Sequence, residues 1–444
     1  MNFPSIDFSW FGNGTVIAVI AIIHVIISHG VAIGMTVLTV SAEYRAMKKN
    51  NEKLNLLAKN MAKWVLIITT TAGAMTGVGI WFSTTVLQPD SIGSLLRIFF
   101  WAWVAEWMVF ITEVVLLVIY FYTWDKCKTI SQRKKHINLG ISLAIFSWLT
   151  MAIITGVLAA KLTPGDWIAT KSFWDAFINP TYLPSLGFRM FLAVILAITI
   201  LSFFIRWRVK DTELRSEMLN VFAFWGAISL PGTLITGLWY LKSIPEQATD
   251  MIVKSTGMSI TLFNVMNGIA FILLVIFLFW ITIKPKKLPW ILSASVCITT
   301  ICFIGEFEVV REYVRKPYII YDYMYANGML SEREDEINEE GYLANATWAK
   351  YDNVDDYTTP AEAGRDVFVG QCIVCHTVDG WRSNRAMSDR LVGWAKEDLK
   401  TFIPSMHLAR PEMPPFMGTE EELDALAQYL IEVTSNDNEV VTNE

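Results

Sequence analysis

The residues best suited to chemistry in this chain are the run Cys372-Ile373-Val374-Cys375-His376. The Cys-x-x-Cys-His spacing is that of covalent haem c attachment, where two thiols bond to the porphyrin and the adjacent imidazole binds iron from one face. A dithiol redox pair that happens to precede a histidine is the competing reading. The flanking residues favour haem. Glu362 to Val369 reads as a short helix entering the motif. Downstream, Met413-Pro414-Pro415-Phe416 offers a thioether for the sixth iron position, with Met417, Met406 and His407 as alternatives. Methionine there raises the potential relative to a second histidine. Thr419-Glu420-Glu421-Glu422 then caps an amphipathic helix from Leu423 to Val433, with carboxylates where the helix dipole favours them.

A second set of candidates lies in strongly apolar sequence, where ionisable groups are expensive and point to function. His24 and His29 share one apolar run. At about 100° per residue, five positions set them about 140° apart, so two histidine-bound irons would belong to different haems. A hydrogen-bonded place in a helix core is the alternative for each. Glu106 and Glu113 are nearly two turns apart and point to one side of their helix. That pair suits haem propionate partners, a weak iron ligand, a proton relay or structural hydrogen bonding. Glu306, Glu308, Arg311 and Glu312 cluster at the end of the last apolar run, to hold a haem edge or to meet water. His136 sits in a basic run and reads as a solvated charge.

The elements that must position these groups are membrane spans. A helix needs about 20 apolar residues to cross about 30 Å of hydrocarbon. Such runs occur near 15–41, 62–87, 97–124, 137–161, 186–206, 219–242, 258–283 and 288–307. The first exceeds the apolar core of a signal peptide and lacks a small-residue cleavage site, so it is expected to remain as a span. Arg45, Lys48, Lys49, Lys53, Lys59 and Lys63 mark the first loop as basic. Lys126, Lys128, Arg133, Lys134 and Lys135 do so for the third, Arg206, Arg208, Lys210 and Arg215 for the fifth, and Lys284, Lys286 and Lys287 for the seventh. The even-numbered loops are poor in Lys and Arg. By the positive-inside rule the basic loops are cytoplasmic and both termini lie outside.

Composition agrees with this pattern: 53% of residues are hydrophobic and 18% charged, against roughly 25% charged in soluble domains. The net charge of −6 carries no general basic surface, so nucleic acid is not an implied partner. Cys127, Cys297 and Cys302 read as structural, with no disulfide framework. After Phe307, a Tyr- and Arg-rich stretch to Asn327 is expected at the membrane surface. The expected fold class is all-α. A bundle of eight transmembrane helices over 1–325 is followed by an acidic linker over 326–359, a small soluble domain over 360–434 and a flexible tail over 435–444.

Residues 360–434 resemble a class I cytochrome c. Residues 1–325 are similar to subunit I of the cytochrome bd-type oxygen reductases. The likeness rests on His24 in the first span, Thr76-Gly77 in the second, and Glu106 with Glu113 in the third. It also rests on Glu312-Tyr313-Val314-Arg315-Lys316-Pro317-Tyr318, which resembles the family's Glu-x-Gly-Arg-Gln-Pro-Trp signature. The resemblance implies His24 and Glu312 as iron ligands and Glu106, Glu113 and Glu312 as the catalytic carboxylates. It further implies Met266 and Arg315 as haem contacts, beside His29, a haem-contact candidate from its place in the first apolar run. One covalent haem c and one or two non-covalent haems, haem b and/or haem d, are expected.

The departures from that family are specific. Arg189 and Met190 stand where the family offers a histidine in the fifth span, and Asn264 replaces an arginine near Met266. The loop from Lys242 to Gly257, which helps bind quinol in the family, is short. A cytochrome c domain follows the eighth span in place of the family's ninth. All four changes weaken the quinol-facing side.

The expected function is therefore membrane-bound respiratory electron transfer between a periplasmic haem c and membrane haems. A cytochrome c-linked terminal reductase of O2, or of NO, is the leading form. The alternatives are a quinol-oxidising subunit that donates through haem c to a periplasmic acceptor, and a non-catalytic conduit in a larger complex. The expected setting is the bacterial inner membrane, with the cytochrome c domain and both termini periplasmic. A second bd-like membrane subunit and a periplasmic cytochrome c or other redox partner are the expected partners besides lipid.

Overall fold

The structure, a computed structural model, describes residues 4–256 and 260–441. Among these, eight helices are long and apolar enough to cross a membrane: Asn13–Lys49, Glu52–Leu87, Phe100–Lys126, Ile130–Ala160, Tyr182–Arg208, Thr212–Ser243, Thr261–Ile283 and Trp290–Tyr313. They are numbered here as the first to the eighth span. The chain is all-α in class, as its sequence implies. Several spans overrun their apolar runs, because a helix continues past the hydrocarbon while its basic residues reach polar surroundings. Lys48 and Lys49 thus occupy the last turn of the first span, and Arg206 and Arg208 that of the fifth.

Local chemistry sets the ends. Asn50 adopts the left-handed conformation (φ 48) that stops the first span, and the Asn51 side chain accepts from Leu54 N at 3.0 Å to start the second. The fourth opens with a capping box: Gln132 N donates to Thr129 Oγ1 at 3.2 Å, and Thr129 N to Gln132 Oε1 at 3.0 Å.

The chain divides into two compact units, one of residues 21–78 and 99–314, the other of residues 1–20, 79–98 and 315–444. In the first, the fifth span is the most buried, packed against the first, fourth, sixth and eighth. Gly30 and Gly34 make that contact close. A Cβ at Gly34 would fall on the Ala193 carbonyl and 2.6 Å from Ala197 Cβ, and one at Gly30 would lie 2.9 Å from Leu196 Cδ2. Small residues four apart let two spans approach backbone to backbone, where dispersion rather than the hydrophobic effect drives association. The first span also carries a π-helical stretch over Ile26–Met35, and the second a shorter one over Thr69–Gly73.

In the other unit, the Pro360–Gln371 helix starts from a Thr359 cap and crosses the C-terminal helix Glu420–Val441. Gly364 sits at the crossing, where a Cβ would overlap the Ala425 carbonyl. Residues 326–359 correct the expectation of a linker. Met329, Ile337, Tyr342, Leu343 and Tyr357 are buried in one cluster with Phe368, Met417 and Leu426. The buried Glu422 carboxylate fixes them: it accepts from Tyr342 N at 2.8 Å, Leu343 N at 2.7 Å and Thr419 N at 2.9 Å. Acidic residues face outward on the Glu334–Glu340 helix while its apolar Ile337 points in, so composition alone hid the packing. Tyr318–Ile320 pairs antiparallel with Met324–Tyr325, a two-stranded ribbon in the stretch expected to lie at the membrane surface. The C-terminal helix runs on to Val441, through most of the stretch expected as a flexible tail.

The N-terminal segment is pinned within this same unit. Asn13 bridges it, accepting from Phe8 N at 3.1 Å and donating to Ile6 O at 2.8 Å. Trp381 N donates to Trp10 O at 3.4 Å, and a Cβ on Gly14 would lie 3.5 Å from the Val374 carbonyl. The Cys-x-x-Cys-His loop therefore rests on the start of the first span.

Gly34→Leu should destabilise the first–fifth span contact by about 1–3 kcal/mol, the usual cost of overpacking. A thermal melt of the detergent-solubilised protein checks this, and an unchanged melt would mean the spans can part without loss.

Candidate functional site

The soluble unit places its two thiols and imidazole on one turn at the end of the Pro360–Gln371 helix. Cys375 N and His376 N both donate to Cys372 O, at 3.1 and 2.9 Å. His376 Nδ1 lies 3.2 Å from Arg385 O. A carbonyl only accepts, so Nδ1 carries the hydrogen and Nε2 is left with a bare lone pair, the state an iron ligand needs. Burial, and after it the Arg385 charge, holds the imidazole pKa down to about 4, so the ring is neutral near pH 7.

Both cysteines are unpaired thiols. Burial, then the neighbouring Cys375, pushes Cys372 up to about 12. A redox dithiol works through a thiolate of lowered pKa, so the surroundings of Cys372 are opposite to what that reading requires, while Lys316 Nζ lies 3.7 Å from Cys375 Sγ. Among the candidates for the sixth position, Met417 is fully buried in the domain core. Its backbone is locked to Gln371, which donates to Met417 O at 2.6 Å and accepts from Met417 N at 3.2 Å. Met406 packs partly against the same core. Met413 and His407 lie outside it, both half-buried.

In the membrane unit, His24 is set by the second span. Its Nδ1 is 3.1 Å from Thr76 Oγ1, whose own hydrogen is committed to Ala72 O at 2.7 Å. The hydroxyl thus accepts from Nδ1–H, and Nε2 is again the bare nitrogen. Gly77 makes room: a Cβ there would lie 3.2 Å from His24 Cε1. On the third span Glu113 is buried and accepts from Ser147 Oγ at 2.6 Å and Thr150 Oγ1 at 3.1 Å. Glu106 lies half-buried two turns away.

His29 departs from the haem-contact expectation. Arg189 Nη1 approaches its Nε2 at 3.3 Å, and Ser28 Oγ lies 3.1 Å from its Nδ1. A guanidinium only donates, so the lone pair that iron would need is already engaged. Arg189 in turn meets Glu308 Oε1 at 3.1 Å, Arg311 Nη2 meets Glu308 Oε2 at 2.8 Å, and the Arg189 guanidinium lies 5.2 Å from the Phe307 ring centroid. Arg189 and Glu308 are buried and Arg311 nearly so. Arg189 Nε and Arg311 Nη1 have no hydrogen-bond partner among the described residues, donors that would suit an anionic group such as a haem propionate. The sequence signal was a set of charges inside apolar runs, but their convergence across three spans was not legible.

Three further residues fall elsewhere than expected. Met266 is 48% exposed on the seventh span and is not brought to His24 or Glu113. Arg315 is fully buried in the soluble unit, where its Nη1 donates to Ile319 O at 2.7 Å and braces the ribbon. His136, read as a solvated charge, is buried between Glu43 and Tyr120. Glu312 sits half-buried at the end of the eighth span.

Eight apolar spans with buried histidines and carboxylates, and a small all-α domain carrying Cys-x-x-Cys-His, define a multi-pass membrane haem protein of electron transfer. The family model "Cytochrome bd terminal oxidase subunit I" matches residues 15–250, more than half of the chain. The chain belongs to that family. Residues 359–430 match the model "Cytochrome C oxidase, cbb3-type, subunit III". No curated protein matches it. The protein is a haem-binding oxidoreductase of a respiratory membrane, with lipid and redox partners.

Glu308→Gln should cost about 3–5 kcal/mol, because it leaves the buried Arg189 and Arg311 guanidinium groups without the carboxylate between them. The double variant Arg189→Met with Glu308→Gln should recover much of that loss. Thermal melts of the two variants check this, and equal melts would show the charges to be uncoupled.

Proposed function

We propose that this protein is a cytochrome c-linked terminal reductase of O2, or of NO, in a bacterial inner membrane, receiving electrons through its periplasmic haem c domain. The observation that carries the reading is the shared preparation of His376 and His24. In each, an acceptor takes Nδ1–H and leaves Nε2 bare and half-buried or deeper.

Cys372 and Cys375 attach the haem covalently, His376 binds its iron and Met413 is the sixth ligand. The thioether is chosen over Met417 because Met417 is spent on the core. His24 holds a membrane haem through Nε2, and Glu312 ligates or supports a second. When bound, the haems supply one-electron transfer and the reduction of the small oxidant. Thr76 keeps the His24 ring from rotating, and Glu113, fixed by Ser147 and Thr150, accepts and delivers the proton that accompanies each electron. Glu106 sits on the same face of the third span, one step further along. The electron donor is a periplasmic cytochrome c or similar carrier, and a second bundle subunit completes the complex. The orientation follows from the basic odd-numbered loops.

Haem typing of the purified protein comes first. One haem c and one or two extractable haems are expected, with His24→Ala losing an extractable haem and keeping haem c. Retention of every haem by that variant would make His24 a core residue. Oxygen consumption should be supported by reduced cytochrome c and not by quinol; a quinol-driven reduction of haem c would reverse the assigned direction of electron flow. Met413→Ala should lower the haem c potential and leave attachment intact. An unchanged potential in a redox titration would move the sixth ligand to His407 or Met406.

A further inference from the structure

The best-formed polar cluster in the membrane unit lies where the sequence expected a solvated histidine. His136 is six residues into the fourth span, about 9 Å from its start at the basic third loop. Its Nε2 is 2.8 Å from the Tyr120 carbonyl and its Nδ1 is 2.6 Å from Glu43 Oε1. Tyr120 Oη donates to the other oxygen, Glu43 Oε2, at 2.7 Å. The Tyr120 ring stacks on the imidazole with centroids 4.5 Å apart, and Trp124 closes the edge at 5.0 Å. None of Glu43, Tyr120, Trp124 and His136 is more than 5% exposed.

Counting hydrogens gives the chemistry. The carbonyl can only accept, so Nε2 carries a hydrogen. A 2.6 Å contact between Nδ1 and a carboxylate oxygen then needs one further proton between them. That proton belongs to either an imidazolium facing a carboxylate or an imidazole facing a carboxylic acid, and both states are neutral as a pair. The cluster thus holds one mobile proton out of water. Of the other titratable groups at this end, Arg133 pairs with Glu52 at 2.6 Å, Lys59 with Asp125 at 2.5 Å and Arg45 with Glu217 at 2.9 Å, Cys127 Sγ donates to Thr123 O at 3.4 Å, and Lys126, Lys128, Lys134 and Lys135 are exposed.

The third span repeats the pattern inward. Tyr120, Glu113 and Glu106 are seven residues apart, about two turns and about 10.5 Å each, with only about 20° of drift per step. On the facing fourth span, His136 and Ser147 are eleven residues apart and share a face in the same way. We propose that Glu43, Tyr120 and His136 form a proton-holding site at the basic-loop end of the groove between the third and fourth spans, and that it supplies Glu113. This rests on the role given to Glu113 under the proposed function. A proton from water enters at the loop and resides between Nδ1 and Oε1. It passes by way of water and the Ser147 and Thr150 hydroxyls to the Glu113 carboxylate, which becomes a carboxylic acid. The site then refills from the loop. The electron that balances the charge comes from the donor that reduces the haems.

Glu43→Gln separates this from a merely structural clamp. The Gln amide donates to Nδ1 and its oxygen accepts from Tyr120, so every hydrogen bond is kept and only the mobile proton is lost. The haem-loaded protein is reduced rapidly in weakly buffered solution, with haem absorbance and a pH dye followed together. Wild-type protein should take up protons as its haems reduce. Glu43→Gln should show the same haem spectra with uptake slowed at least about tenfold, the low side of what a positioned proton donor contributes. Wild-type uptake in Glu43→Gln overturns the proposal. Should that variant not accumulate, Glu43→Asp withdraws the carboxylate from Nδ1 while keeping its charge, and an unchanged uptake rate there overturns the proposal equally. No reduction-linked uptake in the wild-type protein would instead sink the function assigned to Glu113, and this site with it.

Discussion

Hydrocarbon offers no hydrogen bonds and no solvation, so a charge placed there must find its partner within the protein. That constraint organises the membrane unit. Arg189, Glu308 and Arg311 are drawn together from the fifth and eighth spans because none of them could be buried alone. Glu43 and His136 meet from the first and fourth for the same reason. Glu113 is tolerated on the third because two hydroxyls of the fourth reach it. The polar contacts therefore select which faces of the helices meet, while the small residues Gly30, Gly34, Ala193 and Ala197 decide how closely.

The same accounting of donors and acceptors gives the histidines their separate roles. His24 and His376 each donate Nδ1–H to an acceptor and keep a bare Nε2. His29 meets a donor at Nε2 and so has no lone pair to give a metal. His136 meets acceptors on both sides and must hold an extra proton with Glu43. Four imidazoles in one chain thus present three chemistries, and residue type distinguishes none of them. What separates them is the identity of the neighbour: hydroxyl, carbonyl, guanidinium or carboxylate.

Legibility from the sequence followed the range of the interaction. The eight spans were readable because twenty apolar residues in a row have one stable solution in a bilayer. The Cys372–His376 motif and the Thr419–Glu422 cap were readable because their partners are a few residues away. The folding of 326–359 was not, since its anchor is Glu422, some eighty residues on, and its apolar residues are spaced singly among acids. His29 was misjudged for a local reason as well. The rule of 100° per residue assumes α-helical winding, and Ile26–Met35 is wound more loosely. His136 was misjudged because a basic run reads as exposed, although every third or fourth residue from His136 onward, Gly140, Leu143 and Ser147, faces the core.

Arg189 links the loss of one expected feature to the gain of another. A histidine at that position would offer iron a neutral ligand; an arginine cannot, and its charge has to be balanced. Glu308 supplies the balance and Arg311 shares it, with Glu312 also close enough to act on the Arg311 charge, while Arg189 donates to His29 Nε2. The fifth span thus carries an ion-paired arginine where the family offers a histidine. The chain carries its second haem-binding motif, Cys372, Cys375 and His376, in a domain whose Trp381 N donates to Trp10 O just before the first span.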